Sequence, residues 1–339
     1  MKKIYLVLIS AIVMLSACNN AQQGIKDNPL LSEFNTPHNV PPFDKIEAEH
    51  YMPAFKEAMK QNIEEIDAIV NNTEEASFEN TIVALDNTGI LLDRVSSIFF
   101  NIKGADTNDD LNKIAKEVSP LLSKHGDDIS LNEDLFKRVK TVYDKKDDLE
   151  LNTEQAMLLK KTYKGFVRSG ANLDDTKKTK LRKINEELSM STLQFGENQL
   201  KETNAFELVI DNEEELAGLP ESSILDAKEA AKAKGYEGKY LFTLQKPSLI
   251  PFITYSDKRD LREKMFKGYI NRCNNDNEND NKELVKKITN LRIEKAHLLG
   301  NTNYAEFVLE KNMAKHPENV FSLLNKIWDA ALPIAKKEA

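Results

Sequence analysis

Residues 47–70 read EAEHYMPAFKEAMKQNIEEIDAIV, and this stretch decides the fold class. Large apolar side chains recur in it at steps of three and four residues, at Met52, Phe55, Met59, Ile63, Ile66 and Val70. That spacing places them on one face of an α-helix. Pro53 fits the first turn of such a helix, where the amide proton that proline lacks would have no partner within the helix. The stretch therefore predicts an amphipathic helix with one buried face.

The same spacing continues along most of the chain. It predicts further helices over residues 78–102, 108–128, 133–143, 153–167 and 176–203, and again over 256–273, 281–299, 303–313 and 317–339. The last of these helices reaches Ala339 with no stop signal in its final residues. We therefore expect the polypeptide to continue beyond Ala339.

The pattern changes between the two groups of helices. Residues 206–210 (FELVI) and 239–244 (KYLFTL) are short runs of β-branched and aromatic residues, which predict strands. Between them, residues 221–234 predict a helix that ends at Gly235. The expected fold class is mainly α, with a small strand-containing insertion near residues 205–255.

Composition and charge limit the classes of protein. The 339 residues include 47 Lys and Arg against 55 Asp and Glu, which gives a formal net charge of −8. A nucleic-acid-binding protein would normally carry a basic patch, so we expect no nucleic-acid partner. A mean hydropathy of −0.51 argues against a protein with several membrane spans. The two cysteines, Cys18 and Cys273, are too few for a disulfide framework.

The amino terminus has the pattern of a lipoprotein signal. Lys2 and Lys3 precede an almost wholly apolar run over residues 4–15, and LSAC follows at residues 15–18. The run is too short to serve comfortably as a transmembrane anchor. Its resemblance to the bacterial lipobox implies cleavage before Cys18 and attachment of lipid to Cys18. We therefore expect an exported, membrane-anchored lipoprotein of the bacterial cell envelope, on the periplasmic side.

These patterns divide the chain into five segments. They are a signal peptide, a tether, a helical lobe, a small α/β segment and a second helical segment, over residues 1–17, 18–27, 28–204, 205–255 and 256–339.

The histidines form no local metal-binding motif. The sequence contains no His-Glu-x-x-His, Gly-rich phosphate loop, Gly-x-Ser-x-Gly or Cys-x-x-Cys. Two Glu-x-x-His steps, Glu47 with His50 and Glu294 with His297, leave a di-iron bundle as a hypothesis, although that site requires two further glutamates. We assign no catalytic residue and no metal ligand to this chain.

Two other stretches superficially suggest ligand sites. Residues 274–280 (NNDNEND) resemble a calcium loop, but Asn281 then falls where the turn requires Gly and Lys287 where the bidentate Glu is required. Residues 177–183 (KKTKLRK) are basic, but they form one side of an amphipathic helix. We expect a solvated loop in the first stretch and no phosphate site in the second.

Several short segments, taken in order, carry a family resemblance. They lie at residues 28–34, 40–55, 78–85, 92–101, 107–111, 117–122, 217–221, 251–264 and 291–300. They include NPLLSEF, VPPFDKIEAEHYMPAF and PFITYSDKRDLREK. Together they resemble the oligopeptidase family of zinc metallopeptidases, which includes thimet oligopeptidase, oligopeptidase A and bacterial peptidyl-dipeptidase. The chain is most similar to the peptidyl-dipeptidase branch, and the resemblance covers residues 28–339.

The resemblance implies the helical amino-terminal lobe of a deep-channel zinc oligopeptidase that admits short, unstructured peptides. In this family the His-Glu-x-x-His motif and a further glutamate ligand lie in the carboxy-terminal half, so no family ligand falls on a residue of this chain. The resemblance implies zinc in the complete enzyme and none bound by this chain. We expect this chain alone to be inactive, and its substrate-binding residues stay unassigned.

Two functions follow as hypotheses. The first is a lipid-anchored, monomeric zinc metallopeptidase of the peptidyl-dipeptidase type, which releases carboxy-terminal dipeptides from oligopeptides and is represented here without its catalytic half. The alternative is a non-catalytic helical lipoprotein that binds peptides or serves as a scaffold, since a helical lobe can keep part of a groove without the chemistry.

Overall fold

The computed structural model describes residues 27–339, so Cys18 and the lipoprotein signal lie outside the described residues. The described chain forms two compact units. The first ends at Glu186 and also includes Lys295–Ala339, and the second is Glu187–Glu294. The division into segments at residues 204 and 255 and the deep channel both stay predictions.

The mainly α fold class is confirmed. The α-helices are α1 (Ala48–Val70), α2 (Ile90–Ala105), α3 (Asp109–Ser130), α4 (Glu133–Asp144), α5 (Thr153–Arg168), α6 (Asp175–Ala205), α7 (Glu221–Ala233), α8 (Lys246–Tyr255), α9 (Arg259–Ile270), α10 (Lys282–Leu298), α11 (Tyr304–Leu309) and α12 (Pro317–Glu338). The strands are β1 (Leu208–Ile210) and β2 (Tyr240–Phe242). Shorter helical segments lie at Pro37–Asn39, Phe43–Lys45, Phe78–Val83, Ala84–Asp86 and Glu213–Leu216.

The predicted amphipathic helix is α1, but its buried face is displaced from the large apolar residues. The buried side chains are Tyr51, Ala54, Phe55, Ala58, Asn62, Ile66 and Ile69. Met52, Met59 and Ile63 lie at the borders of this face and are only partly buried. Two of the buried residues are alanines, Ala54 and Ala58, whose small side chains allow a neighbouring helix to approach closely. A search for large apolar residues therefore found the helix but misplaced the middle of its buried face.

Aromatic side chains join α1 to α2. The Phe55 and Phe99 rings meet edge to face with centroids 5.4 Å apart, and the Tyr51 and Phe99 rings lie 4.9 Å apart. Phe55 and Phe99 are completely buried. Edge-to-face geometry places the positive edge of one ring on the negative face of the other, which adds to the stability from burial.

The second part of this core lies around α4 and α5. Its buried residues are Ile66, Ile69, Phe78, Ile82, Leu135, Phe136, Val139, Val142, Leu159, Phe166 and Ala171. They come from the end of α1, the segment after it, α4, α5 and the turn that follows α5. α1 thus contributes buried side chains both to the aromatic contacts with α2 and to this cluster.

The single helix expected over residues 78–102 is wrong. The structure has a π-helical segment at Phe78–Val83, a short turn at Ala84–Asp86 and a separate helix, α2, that begins at Ile90. Gly89 interrupts the run, with a left-handed φ of 75° that residues with a side chain rarely adopt. The seven-residue step from Leu85 to Leu92 preserves the apolar spacing across this break, so periodicity alone did not reveal it.

The second unit contains the predicted strands. β1 and β2 pair antiparallel in a two-stranded sheet, with Leu208 opposite Phe242 and Ile210 opposite Tyr240. Buried side chains of both strands pack with those of α8 and α9, including Phe252 and Met265. The Phe242 and Phe252 rings meet edge to face at 4.6 Å. The prediction of two short strands is confirmed.

α8 is a helix that the sequence pattern did not indicate. Two prolines lie in it, Pro247 at its first turn and Pro251 inside it. A proline at the first turn removes an amide proton that would have no partner in the helix, so Pro247 is tolerated. Leu249 and Phe252 are buried in the core of the second unit, and this packing holds the segment helical.

Among residues 27–339, no helix is long and apolar enough to cross a membrane.

One buried amide links three helices of the first unit. Asn62 in α1 is 5% exposed, and its Oδ1 lies 2.8 Å from Nε2 of His125 in α3. The Asn62 Nδ2 donates to Oε2 of Glu65 at 3.3 Å. That same Glu65 oxygen accepts the Gly89 amide at 2.7 Å, immediately before α2. Since the Asn62 oxygen accepts, Nε2 of His125 is the donor, which selects one tautomer of the ring.

Gly89→Ala tests the break before α2. A Cβ at Gly89 would lie 3.2 Å from Nδ2 of Asn62, and the left-handed backbone strains any residue with a side chain. We expect the substitution to lower the free energy of unfolding by about 2 kcal/mol in urea titrations. The control is Gly104→Ala in α2, where a Cβ meets nothing within 4 Å. We expect the control to raise the free energy of unfolding by up to about 1 kcal/mol. A Gly89→Ala variant as stable as the control would contradict the break.

The buried His125 predicts a pH dependence of stability. Burial lowers the pKa of His125 below its ordinary value of 6.5, and Asp128 opposes part of that effect. As the pH falls through the ordinary value, the unfolded chain takes up a proton that the folded chain does not, so stability is lost toward acid. We expect the free energy of unfolding to fall more between about pH 7.5 and about pH 5.5 in the parent than in His125→Gln, which keeps an amide donor for Asn62. Equal losses in the two proteins would show that His125 does not carry the effect.

Candidate functional site

The first Glu-x-x-His step has a structural role at the start of α1. The Glu47 amide donates to Nδ1 of His50 at 2.9 Å, so His50 satisfies an amide at the helix amino terminus. The His50 carbonyl accepts the Asn28 side-chain amide at 2.7 Å, which ties the preceding segment to the helix. A nitrogen that accepts an amide proton offers no lone pair to a metal.

The second step, Glu294 with His297, lies near the end of α10. Nε2 of His297 is 3.0 Å from the Thr302 carbonyl, in the turn after the helix. Within residues 27–339 the structure has no group of three or more His, Cys, Asp or Glu that could hold a metal ion. The di-iron hypothesis is therefore left without a ligand set among the described residues.

The asparagine-rich loop at residues 274–280 surrounds a carboxylate instead of a cation. Glu202 of α6 is 9% exposed. Its two oxygens accept the side-chain amides of Asn275 at 2.6 Å, Asn277 at 2.7 Å and Asn279 at 3.5 Å. The Cys273 amide donates to the same carboxylate at 3.4 Å. Because amide donors converge on this position, it is suited to an anion, and Glu202 supplies that anion.

The electrostatics of Glu202 follow from this geometry. Burial by itself raises the pKa of the carboxyl, but the amide donors outweigh burial and hold the pKa below its ordinary value. Glu202 therefore stays ionised at neutral pH. The loop aspartates are paired as well, since the Lys282 ammonium contacts both Asp276 and Asp280. The loop thus holds Glu202 with its amides, and both of its aspartates pair with Lys282.

Sequence analysis missed the role of Glu202. The available signal was the alternation of Asn275, Asn277 and Asn279, which can place three amides toward one acceptor. The partner lies more than 70 positions earlier in the chain, and no local pattern identifies it.

The basic cluster at residues 177–183 is likewise occupied by internal partners. Lys178 is 8% exposed and pairs with Glu133 at 2.6 Å. Arg182 pairs with Asp128 at 2.7 Å. These contacts join α6 to α3 and α4, which agrees with the expectation of an amphipathic helix.

A buried polar group joins α3, α6 and α10 in the first unit. The Asn185 side chain donates to Asp127 at 2.7 Å and accepts from the Lys295 ammonium at 2.6 Å. Burial raises the pKa of Asp127 and lowers the pKa of Lys295, so each charged form depends on the neighbouring charge. Asp127 is 7% exposed. The three side chains satisfy one another and link the three helices.

A cavity of about 630 Å³ lies in the first unit between the first turns of α1 and α3. Its walls are formed by Glu47, Ala48, Glu49, Met52, Asp110, Lys113, Ile114 and Glu117. The lining combines carboxylates with aliphatic carbon and contains no His, Cys or Ser. It can accommodate a small group, but it supplies neither a nucleophile nor a metal ligand set.

Among residues 27–339, the structure has no set of residues that fits the zinc implied by the resemblance. A catalytic zinc requires three protein ligands around one point, usually His with Glu or Asp. The chain has no His-Glu-x-x-His motif, and His50 and His297 serve the ends of their helices. We therefore derive no chemical step through zinc from the residues described here.

Comparison with known proteins identifies the family. Residues 252–339 match the model of peptidase family M3. The chain is 36% identical to the dipeptidyl carboxypeptidase of Escherichia coli (strain K12) over 311 residues, which cover 92% of this chain and 46% of that protein.

Two further relatives extend the comparison. Oligopeptidase A of Escherichia coli (strain K12) is 33% identical over 315 residues, which cover 92% of this chain and 46% of that protein. A thimet-like oligopeptidase of Dictyostelium discoideum is 25% identical over 311 residues, which cover 91% of this chain and 44% of that protein. The chain spans about half the length of the curated relatives that it matches. The family resemblance is confirmed, and residues 252–339 carry the match to peptidase family M3.

Proposed function

We propose that this chain is the amino-terminal part of a zinc metallopeptidase of the peptidyl-dipeptidase type, which removes carboxy-terminal dipeptides from oligopeptides. The observation that carries this proposal is the 36% identity to a dipeptidyl carboxypeptidase along 92% of the chain. Identity to oligopeptidase A of the same organism is 33% over a similar length, so the reaction products are the decisive observation.

The described residues support a positioning role for this part of the enzyme. Three of its histidines, His50, His125 and His297, make hydrogen bonds within the protein, and the Glu202 carboxylate is held by the amides of its loop. A helical wall can orient a peptide and limit access to it, but it supplies no nucleophile. We propose that the metal and the acid-base groups come from the part of the relatives that this chain does not match.

We also propose that the mature protein is a lipid-anchored lipoprotein on the periplasmic side of the cell envelope. The support is the sequence at residues 1–18, with its lysines, its apolar run and Cys18 after small residues. Acyl chains on Cys18 would anchor the protein without a membrane-spanning helix.

Peptide hydrolysis tests the first proposal. We expect the 339-residue chain to leave a blocked pentapeptide intact, since the residues it contains include no catalytic set. We expect the protein expressed from the complete reading frame to release carboxy-terminal dipeptides, and a chelator to abolish that release. Mass spectrometry of the products distinguishes dipeptides from internal fragments.

Three results would count against this proposal. Internal fragments among the products would indicate oligopeptidase activity and contradict dipeptide release. Chelator-insensitive release by the short chain would place a catalytic set within residues 1–339. Binding of the pentapeptide without cleavage by either protein would favour the non-catalytic alternative.

Cys18→Ser tests the anchor. The thiol is the acceptor of the lipid, so we expect the variant to incorporate no radioactive fatty acid in cells and to accumulate as precursor. The matched control is Cys273→Ser, which changes the chain's other cysteine, a buried one, and should keep the label. Equal labelling of the Cys18→Ser variant and the parent would contradict lipidation at Cys18.

A further inference from the structure

The last helix, α12, has an apolar face that nothing in the first unit covers. None of its residues from Pro317 to Glu338 is buried. Its exposed large apolar side chains are Phe321, Leu323, Leu324, Ile327, Trp328 and Ile334, each between 51% and 63% exposed. Single exposed apolar residues are ordinary, but six on one helix form a patch that usually marks an interaction site.

The sequence of α12 separates apolar and polar residues by face. At 100° per residue, all six of these side chains fall within one half of the helix circumference. Trp328 lies within that half, whereas its neighbour Asp329 lies on the opposite side. An apolar face as wide as half the helix is typical of a helix packed between protein neighbours, and it is wider than a two-helix seam requires.

The charge of α12 argues against a lipid surface as the occupant. The helix contains three lysines, Lys326, Lys336 and Lys337, and three acidic residues, Glu318, Asp329 and Glu338. A helix that lies on an anionic membrane carries an excess of Lys or Arg on its polar face. The balanced charges of α12 favour a protein surface.

The lengths of the relatives indicate which protein surface covers the apolar face of α12. The match to the M3 family model extends over residues 252–339 and includes all of α12. The Escherichia coli dipeptidyl carboxypeptidase contains about as much polypeptide outside the matched region as within it, since the match covers 46% of its length. In such a protein, a helix of the shared family domain has a large further part of the same chain available to cover it.

We propose that the apolar face of α12 is the docking surface for the remaining half of the complete protein, through aliphatic and aromatic side chains of that half. This inference rests on the proposed function, because it assumes a complete protein as long as the relatives. It assigns α12 the role of connecting the helical lobe to the part that supplies the chemistry. It also gives this 22-residue helix the tertiary packing from which helices in proteins draw most of their stability.

Hydrogen exchange tests the docking without measuring activity. We expect the amides of α12 to exchange rapidly in the 339-residue chain. We expect them to exchange at least about tenfold more slowly in the protein expressed from the complete reading frame.

Fluorescence gives an independent readout, because Trp328 is the chain's single tryptophan. Acrylamide should quench the Trp328 fluorescence freely in the short chain. In the complete protein, the difference between the spectra of the parent and of Trp328→Phe isolates the Trp328 fluorescence, which should be shielded from acrylamide.

A pair of neighbouring substitutions locates the docking face. In the complete protein, we expect Trp328→Ala to lower the melting temperature by at least about 5 °C, because a buried indole is lost. Asp329→Ala, on the polar side of the helix, should leave the melting temperature unchanged. In the 339-residue chain, neither substitution should shift the melting temperature. If Trp328→Ala prevents folding of the complete protein, exchange in the parent protein still decides the question.

Several results would overturn the inference. They are a reading frame that ends at Ala339, rapid exchange of α12 in the complete protein, and a Trp328→Ala variant that melts like the parent.

A dimer of the short chain that Trp328→Ala dissociates would assign the face to a second copy. Binding of the short chain to phosphatidylglycerol vesicles through Trp328 would assign it to lipid. Protected α12 amides in a protein that releases no dipeptide would contradict only the proposed function.

Discussion

The buried side chain of Asn62 is the constraint on which the first unit depends. A buried amide without partners is costly, so the elements that satisfy it are held in place around it. Asn62 lies 2.8 Å from His125 of α3 and donates to Glu65, which also accepts the Gly89 amide before α2. These three hydrogen bonds thereby link α1 to α3 and to the start of α2.

The apolar interior is arranged around that contact. Alanines on α1 allow α2 to approach closely, and the Phe55 and Phe99 rings fill the space beside them. Gly89 is required at the start of α2 because its backbone is left-handed and Asn62 lies against it. These features belong to one junction, so a change at any of them is expected to disturb the others.

Sequence periodicity predicted most helices and both strands, because burial of one face imposes a regular spacing. It failed where that spacing was preserved across a break, as from Leu85 to Leu92, and where prolines concealed a helix, as in α8. The polar centres were less predictable, since Glu202 and its asparagines, or Asn62 and His125, are distant in sequence. For the candidate site, the sequence indicated the family and the absence of its zinc motif, but it did not indicate the roles of His50 and His297.

The polar groups that the sequence singled out are directed toward the protein's own architecture. His50 and His297 serve helix ends, and Glu202 is held by the amides of its loop. We propose that such groups position the structure and that residues elsewhere in the complete protein supply the chemistry of a peptidase. The most direct test of this account is the zinc content, by elemental analysis after dialysis, of the 339-residue chain and of the protein from the complete reading frame. The account predicts stoichiometric zinc in the complete protein and none in the short chain, and zinc held by the short chain and lost on His50→Ala or His297→Ala would contradict it.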